Sequence, residues 1–149
     1  MPIQPYLFFN GRCNEAIDFY KKAIGAEAAL LIRYNESPEP MPPGILPPGF
    51  ENKVMHSELR IDDAVVMASD GHSAEPATFN GISLSLRARD SDEARRRFDA
   101  LSAGGSVDMP LGRTFFSPSF GMLTDRFGVQ WMIVVEAEDR AEQSRAKTA

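Results

Sequence analysis

The order of predicted elements repeats once along the chain. The apolar patterns predict a strand, a helix and three further strands, and the same order then follows a second time. The two predicted helices align at an offset of 78 residues, which brings Ala16 onto Ala94 and Tyr20 onto Phe98. A repeated supersecondary unit restricts the possible folds more than any single element does. The chain is therefore predicted to consist of two βαβββ modules.

Each module is predicted to form a curved sheet with its helix on the convex side. The two remaining sheet faces are predicted to make a pseudo-symmetric cup or half-barrel, which gives an α+β fold. We expect modules at about residues 3–70 and 79–136, within a single domain of residues 1–136. A polar, frayed tail is expected at 137–149.

Apolar periodicity defines the elements of the first module. Helical spacing of apolar residues stops at Gly25, as expected for a helix that ends in glycine. Alternation places His56 and Glu58 on one face of a later strand. The predicted elements are strand Ile3–Asn10, a helix ending at Gly25, and strands Ala28–Tyr34, Val54–Ile61 and Ala64–Ser69.

The second module follows the same pattern. Its first strand is predicted over Phe79–Ala88, and Ser91 is predicted to cap the helix whose apolar stripe is Ala94, Phe98 and Leu101. A strand region is predicted over Val107–Phe116. Because Phe115 and Phe116 are adjacent in it, one is expected in the core and the other over the cup.

The second module ends in a predicted hairpin, Phe120–Val135. Asp125 and Gly128 supply a turn, because aspartate bonds the backbone ahead of it and glycine takes a positive φ. The second apolar run, Val129–Val135, is typical of a strand buried on both faces. Trp131 is expected to pack under a helix.

A proline-rich segment, Asn35–Lys53, lies between the second and third strands. It contains six prolines and two glycines, so neither helix nor sheet is expected there. Such loops often serve as lids, and the apolar residues Ile45, Leu46 and Phe50 favour that function over a passive insertion.

Composition excludes several classes of function. The net charge of −5 argues against nucleic-acid binding, and no apolar run approaches the length of a membrane span. The first residues show no secretory signal, and one cysteine, Cys13, fits a reducing compartment, so we expect a cytoplasmic protein. Cys13 is expected to be a small apolar residue at a helix start.

Three stretches together resemble the vicinal oxygen chelate superfamily, which contains glyoxalases, bleomycin-resistance proteins and extradiol dioxygenases. They are EAIDFYKKAIGAE at residues 15–27, LRIDDAVVMASD at 59–70 and TDRFGVQWMIVV at 124–135. These stretches are most similar to the PhnB-like branch. The resemblance implies the cup-shaped fold and a homodimer.

The metal enzymes of that superfamily hold a divalent ion with up to four His or Glu ligands, and the resemblance places those positions at Pro5, Met67, Gly81 and Met132. Proline and glycine carry no ligating side chain, and a thioether is a poor ligand for the metals concerned. We therefore expect no metal and no other cofactor. Nor does the chain contain a glycine-rich strand-to-helix turn for a nucleotide-like methyl donor, since Gly44 and Gly49 lie in the proline-rich segment.

His56 and Glu58 are the strongest candidates for chemistry. A histidine beside a carboxylate could act as a general base or bind a polar group of a ligand. A solvated face or a dimer contact would explain the pair equally well, and Arg60 could simply pair with Glu58. His72 is expected to be solvated in a polar loop.

The leading hypothesis is a metal-free protein that binds a small molecule. Methionine, phenylalanine and a few hydroxyl groups would line its site. The predicted ligand-binding residues are His56, Glu58, Met67, Ser69, Ser83, Phe116 and Met132. The alternatives are a metal-independent isomerase or lyase that uses His56 and Glu58, and an interaction module whose cup is filled by its own side chains.

Overall fold

A computed structural model of the chain describes residues 2–137, which form two α-helices and eight β-strands. The chain divides into two compact units, a first unit up to Ala77 and a second unit from Thr78 onward. This division falls within the gap between the two predicted modules. Beyond Ala137, the predicted polar tail lies outside the described residues. None of the helices within residues 2–137 is long and apolar enough to cross a bilayer.

The first unit is a four-stranded mixed sheet with one helix. Its elements are β1 (Tyr6–Phe8), α1 (Cys13–Ile24), β2 (Glu27–Arg33), β3 (Val54–Ile61) and β4 (Ala64–Ser69). The strand order is β1-β4-β3-β2, in which β1 runs parallel to β4 and the other neighbours are antiparallel.

The second unit repeats this arrangement. Its elements are β5 (Leu84–Ala88), α2 (Ser91–Ser102), β6 (Ser106–Gly112), β7 (Phe120–Thr124) and β8 (Gln130–Val135). The order is β5-β8-β7-β6, and again only the first pair is parallel. The α+β class and the two βαβββ modules are thus confirmed.

The two helices bury equivalent residues. Ala16 and Ala94 are fully buried, and Tyr20 and Phe98 retain only 1% and 2% of their accessible surface. The predicted apolar stripes therefore face the core in both units. Helix α1 ends as expected, because Gly25 adopts φ 68° and its N–H bonds the carbonyl of Lys21 at 3.1 Å.

The predicted cap of α2 was wrong by one residue. Asp90 occupies the cap position in an extended conformation, and its carboxylate accepts a hydrogen bond from the backbone N–H of Glu93 at 2.8 Å. Ser91 is the first helical residue. A carboxylate at this position satisfies a free N–H and also interacts favourably with the helix dipole.

Two first strands are shorter than predicted. β1 covers three residues of the predicted Ile3–Asn10, and β5 begins at Leu84 instead of Phe79. Their partners set these limits. β4 ends opposite Phe8, and the last bond between the two strands is that from the N–H of Phe9 to the carbonyl of Ser69. β8 begins one residue before the partner of Leu84, so the residues before Ser83 have no residue of β8 opposite them.

Strand β6 ends at Gly112, so the predicted strand to Phe116 was also wrong. It is an edge strand, which explains why it tolerates Pro110. A turn follows, in which the N–H of Thr114 bonds the carbonyl of Ser117 at 2.9 Å. Phe115 is fully exposed in this turn, and neither it nor Phe116 is part of the core.

The last hairpin has the predicted turn but not the predicted burial. Asp125 accepts hydrogen bonds from the N–H groups of Phe127 and Val129, and Gly128 has φ 89°. In β8, however, burial alternates: Trp131 and every second residue are buried, and Met132 is partly exposed. The strand therefore buries one face rather than two. The core position of Trp131 is confirmed.

Candidate functional site

One face of the first sheet carries a row of side chains that crosses all four strands. Tyr6 pairs with Met67, Met67 with Glu58, and Glu58 with Leu30. Paired residues point to the same face of a sheet, so these four side chains are neighbours. The other face is covered and buries Leu7. A ligand that contacts the sheet of this unit would therefore bind on the open face.

A polar chain of three side chains lies on this open face. The hydroxyl of Tyr6 lies 3.0 Å from Nδ1 of His56, and Nε2 of His56 lies 3.8 Å from Oε1 of Glu58. The Tyr6 and His56 rings also stack, with centroids 5.6 Å apart. His56 and Glu58 are half-exposed. Arg60 does not pair with Glu58; its guanidinium lies 3.8 Å from the carboxylate of Glu27 instead.

The first unit also contains an open cleft of about 630 Å³. Aromatic and thioether side chains form much of its wall. They are Tyr6, Phe8, Tyr34, Met41, Met55 and His72. Tyr6 is therefore shared by the cleft and the polar chain, whereas His56 and Glu58 are not among the lining residues.

The proline-rich segment contributes to this cleft through Met41. Its two ends are fastened together: the N–H of Tyr34 bonds the carbonyl of Lys53 at 3.1 Å, and the side chains of Asn35 and Asn52 bond at 2.8 Å. Short 3-10 turns occupy the ends, at Tyr34–Glu36 and Phe50–Asn52. Phe50 is buried, whereas Ile45 is 42% exposed.

The second unit has a smaller cavity of about 240 Å³ on the corresponding face of its sheet. Met132 and Phe116 line it, as does Ser85, which pairs with Met132. An ion pair between Arg87 and Glu136, 3.3 Å apart, also contributes to the wall. Two of the predicted ligand-binding residues, Met132 and Phe116, are thus brought together here.

The remaining predicted residues have different surroundings. Ser69 lines the cleft of the first unit, but its hydroxyl already accepts a hydrogen bond from the N–H of Gly71 at 3.2 Å. Ser83 lines neither cavity, and its hydroxyl oxygen is buried without a hydrogen-bond partner. His72 is exposed, as predicted, and its ring lies 6.3 Å from that of Tyr34.

Sheet register places residues other than Pro5 and Gly81 opposite Met67 and Met132. The residue of β1 that pairs with Met67 is Tyr6 rather than Pro5. The residue of β5 that pairs with Met132 is Ser85, because Gly81 precedes the strand. These positions offer a phenol, a hydroxyl and two thioethers, which do not fit a divalent ion held by nitrogen and carboxylate ligands. Within residues 2–137 no three His, Cys, Asp or Glu side chains are grouped to hold an ion.

Cys13 takes no part in either cavity. It is the first residue of α1, is fully buried, and burial raises the pKa of its thiol to about 12. A thiol that keeps its proton is a poor nucleophile. The prediction of a small apolar residue at a helix start is confirmed.

Comparison with known proteins adds the family. The family model described as 3-demethylubiquinone-9 3-methyltransferase matches residues 1–134. Protein YjdN of Escherichia coli K12 is 37% identical over 142 residues, 91% of this chain and 95% of that protein. The crystal structure of PA1353 from Pseudomonas aeruginosa is 44% identical with a TM-score of 0.79, covering 91% of this chain and 98% of that one.

Two further structures place the fold more broadly. A putative 3-demethylubiquinone-9 3-methyltransferase, PhnB protein, from Bacillus cereus is 29% identical with a TM-score of 0.74, covering 91% of this chain and 99% of that one. The fosfomycin resistance protein FosX of Listeria monocytogenes is 12% identical with a TM-score of 0.59, covering 93% and 96%, and shows the fold alone.

The repeated βαβββ units and these likenesses define a protein with the vicinal oxygen chelate fold. Within that class, the chain belongs to the PhnB-like family, whose model it matches over nearly its whole length.

Proposed function

We propose that this chain is a metal-free small-molecule binding protein of the glyoxalase and bleomycin-resistance type. The observation that carries the proposal is the cleft of the first unit, where aromatic and thioether walls adjoin the polar chain of Tyr6, His56 and Glu58. Small-molecule sites commonly combine apolar walls with a few convergent polar groups. Met67 and Ser69 are proposed to contribute to the same site.

The absence of a metal requirement is supported by donor chemistry. Tyr6, Met67, Ser85 and Met132 supply no imidazole and no carboxylate. Metal analysis of protein purified without added metal is expected to show substoichiometric Zn, Ni, Mn and Fe. A stoichiometric content of any of these ions would contradict the proposal.

The second-unit cavity is proposed as a further part of the binding surface, through Phe116 and Met132. Ser83 is proposed as a ligand-binding residue only through its unpaired hydroxyl. Replacement of Met132 by lysine would remove a thioether and place a charge close to Phe116, and it should weaken binding of an apolar ligand there.

A thermal-shift screen of small molecules tests ligand binding directly. A ligand that binds only the folded protein stabilises it by about 2.7 kcal/mol at a hundredfold excess over Kd. His56→Ala is expected to weaken binding of a hit, whereas Asp63→Asn, at an exposed turn, should leave it unchanged. Failure of a chemically diverse library to shift the melting temperature of the wild type would count against the proposal.

An isomerase or lyase is the second candidate. It is favoured by the hydrogen bond between Tyr6 and His56 and by the carboxylate of Glu58 beside the other ring nitrogen, an arrangement suited to moving a proton. Turnover of a hit from the screen would support it, provided that His56→Ala abolishes turnover instead of only weakening affinity. Methyl transfer is not proposed, since no glycine-rich turn is available for the methyl donor.

We also propose a cytoplasmic homodimer. Edge strand β6 exposes Val107 and Met109, which are 50% and 45% accessible, and such residues favour association. Light scattering at micromolar concentration should give twice the chain mass, and the mass of one chain would contradict the dimer.

A further inference from the structure

We propose that Tyr6, rather than His56, contacts the ligand in the first-unit cleft, and that this ligand is an uncharged, flat aromatic molecule carrying a hydroxyl group. The inference rests on the proposed binding function and assigns the chemistry of its site. Tyr6 lines the cleft and contacts His56, whereas neither His56 nor Glu58 is a lining residue.

The hydrogen bond to His56 fixes how Tyr6 presents its hydroxyl. The carboxylate of Glu58 lies 3.8 Å from Nε2, and its negative charge favours the tautomer that carries the proton on that ring nitrogen. Nδ1 is then an acceptor, and the Tyr6 hydroxyl donates to it across 3.0 Å. With its own proton committed, the phenolic oxygen of Tyr6 offers a lone pair to the cleft. A ligand hydroxyl that reaches Tyr6 is therefore expected to donate a hydrogen bond to it.

The walls of the cleft select a flat ring. Tyr6 and Phe8 pack against each other with centroids 4.9 Å apart, and Tyr34 and His72 form a second aromatic pair at 6.3 Å. Both pairs line the same cleft. Aromatic faces bind other rings by offset or edge contacts, and the adaptable side chain of Met41 adds thioether contact.

The lack of charged lining residues argues against an ionic ligand in this cleft. Among the described residues that line it, none is Asp, Glu, Lys or Arg. A carboxylate or phosphate would lose its hydration without gaining a charged partner, which is costly. A phenol, by contrast, needs one acceptor for its hydroxyl. We assign that acceptor to Tyr6 among the polar lining residues, which also include Asn10 and Ser73.

Two probes that differ by one methyl group test this assignment. 4-Nitrophenol donates a hydrogen bond below its pKa, whereas 4-nitroanisole has the same ring and no donor. Both can be titrated against the protein by absorbance and by calorimetry. Wild type is expected to bind 4-nitrophenol on the order of three- to tenfold more tightly, the range of one net hydrogen bond.

Tyr6→Phe should remove that preference and bind both probes alike, because the ring is retained and only the oxygen is lost. His56→Leu should also reduce the preference, since the Tyr6 hydroxyl is then free to donate. His56→Gln, which restores an acceptor, should recover part of it. A general loss of structure would weaken both probes together and would not change their ratio.

Phe115→Leu provides the matched control. Phe115 is a fully exposed aromatic residue of the second unit, so its loss should leave both affinities unchanged. Phe8→Ala, at the cleft wall, should weaken both probes equally.

Three results would overturn the inference. The first is an unchanged preference in Tyr6→Phe. The second is equal binding of the two probes by wild type. The third is no binding of 4-nitrophenol although a compound from the thermal-shift screen does bind, in which case the binding function stands and Tyr6 is not its aromatic contact. If no compound binds at all, both proposals fail.

Discussion

Oδ1 of Asp70 lies 2.8 Å from the backbone nitrogen of Cys13, so a residue that follows β4 caps the first turn of α1. The same oxygen accepts the N–H of Gly11 at 2.8 Å, and Oδ2 accepts the N–H of Val54, also at 2.8 Å. Asp70 is completely buried. One carboxylate thus joins the helix, the loop before it and the start of β3.

Asp70→Asn is expected to destabilise the protein by about 2 to 3 kcal/mol, because hydrogen bonds to a charged acceptor are lost. The side chain of asparagine has only one acceptor oxygen. Its NH₂ group would therefore face at least one of the three backbone N–H groups that Asp70 binds. Urea unfolding followed by circular dichroism measures the change in free energy.

Asp63→Asn is the control for this substitution. Asp63 is an exposed turn residue, and its replacement should change the free energy of unfolding by less than about 0.5 kcal/mol. Equal unfolding midpoints for Asp70→Asn and wild type would show that the buried carboxylate is dispensable.

Asp125 fixes the indole of Trp131 as well as the last turn. Its Oδ2 accepts the indole N–H at 2.9 Å, and Oδ1 accepts two backbone N–H groups. Asp125→Ala removes the carboxylate that accepts all three hydrogen bonds and is expected to cost about 3 kcal/mol. Trp131 is the single tryptophan of the chain, so its fluorescence should report the change specifically.

Trp131→Phe removes one of the donors and should make the Asp125→Ala substitution less costly in a double-mutant cycle. As a control, Asp108→Asn alters an exposed carboxylate that accepts from Thr124, and it should leave the tryptophan emission unchanged. Strict additivity of the Asp125 and Trp131 substitutions would refute a coupling between these side chains.

Cys13 should resist thiol reagents in the folded protein. Burial raises the pKa of its thiol to about 12, so very little thiolate exists near neutral pH. In urea the same cysteine should react at the rate of an ordinary thiol. Stoichiometric labelling of the native protein by a disulfide reagent within minutes would show that the site opens.

Glu93 is expected to make the free energy of unfolding depend on pH in the acid range. Burial would raise the pKa of its carboxyl, but hydrogen bonds from the backbone and side chain of Arg89, with Arg97 nearby, outweigh burial and lower it from 4.5. A lowered pKa means that the folded state holds the proton less readily than the unfolded state. This stabilisation is complete above pH 4.5 and is lost as pH falls through the folded-state pKa.

Glu93→Gln is therefore expected to lower stability at pH 7 by about 1 to 2 kcal/mol, and the difference from wild type should shrink in acid. Asp99→Asn, which removes an exposed pair with Arg95, is the control and should have little effect at either pH. A Glu93→Gln difference that grows as the pH falls would reverse the assigned direction.

Sequence patterns predicted the ends of an element well where a local signal, such as a turn, marks those ends. Strict alternation and the Asp62-Asp63 turn placed β3 and β4 at their observed bounds. The limits of β1 and β5 could not be predicted in this way, because they depend on where β4 ends and β8 begins. Ile82 continues the alternation of β5, yet it is 51% exposed and lies before the strand.

The candidate site was predicted only in part, for a related reason. Alternation alone placed His56 and Glu58 on one face. The contribution of Tyr6 depends on two successive registers, Tyr6 with Met67 and Met67 with Glu58, which bring together residues 50 positions apart in the sequence. The alternation of Tyr6 and Phe8 is the sequence signal for this face, whereas the family resemblance indicated Pro5.

The hydrogen bond between the N–H of Tyr34 and the carbonyl of Lys53 closes the proline-rich segment into a loop that leaves the sheet and returns to it at nearly the same point. A change in the length of such a loop alters the entropic cost of closing it only slightly. Residues 37–49, which include Met41 at the cleft, can therefore be substituted without moving the strands on either side. If the cleft binds a ligand as proposed, substitutions in this one segment would change its wall while the sheet keeps its structure.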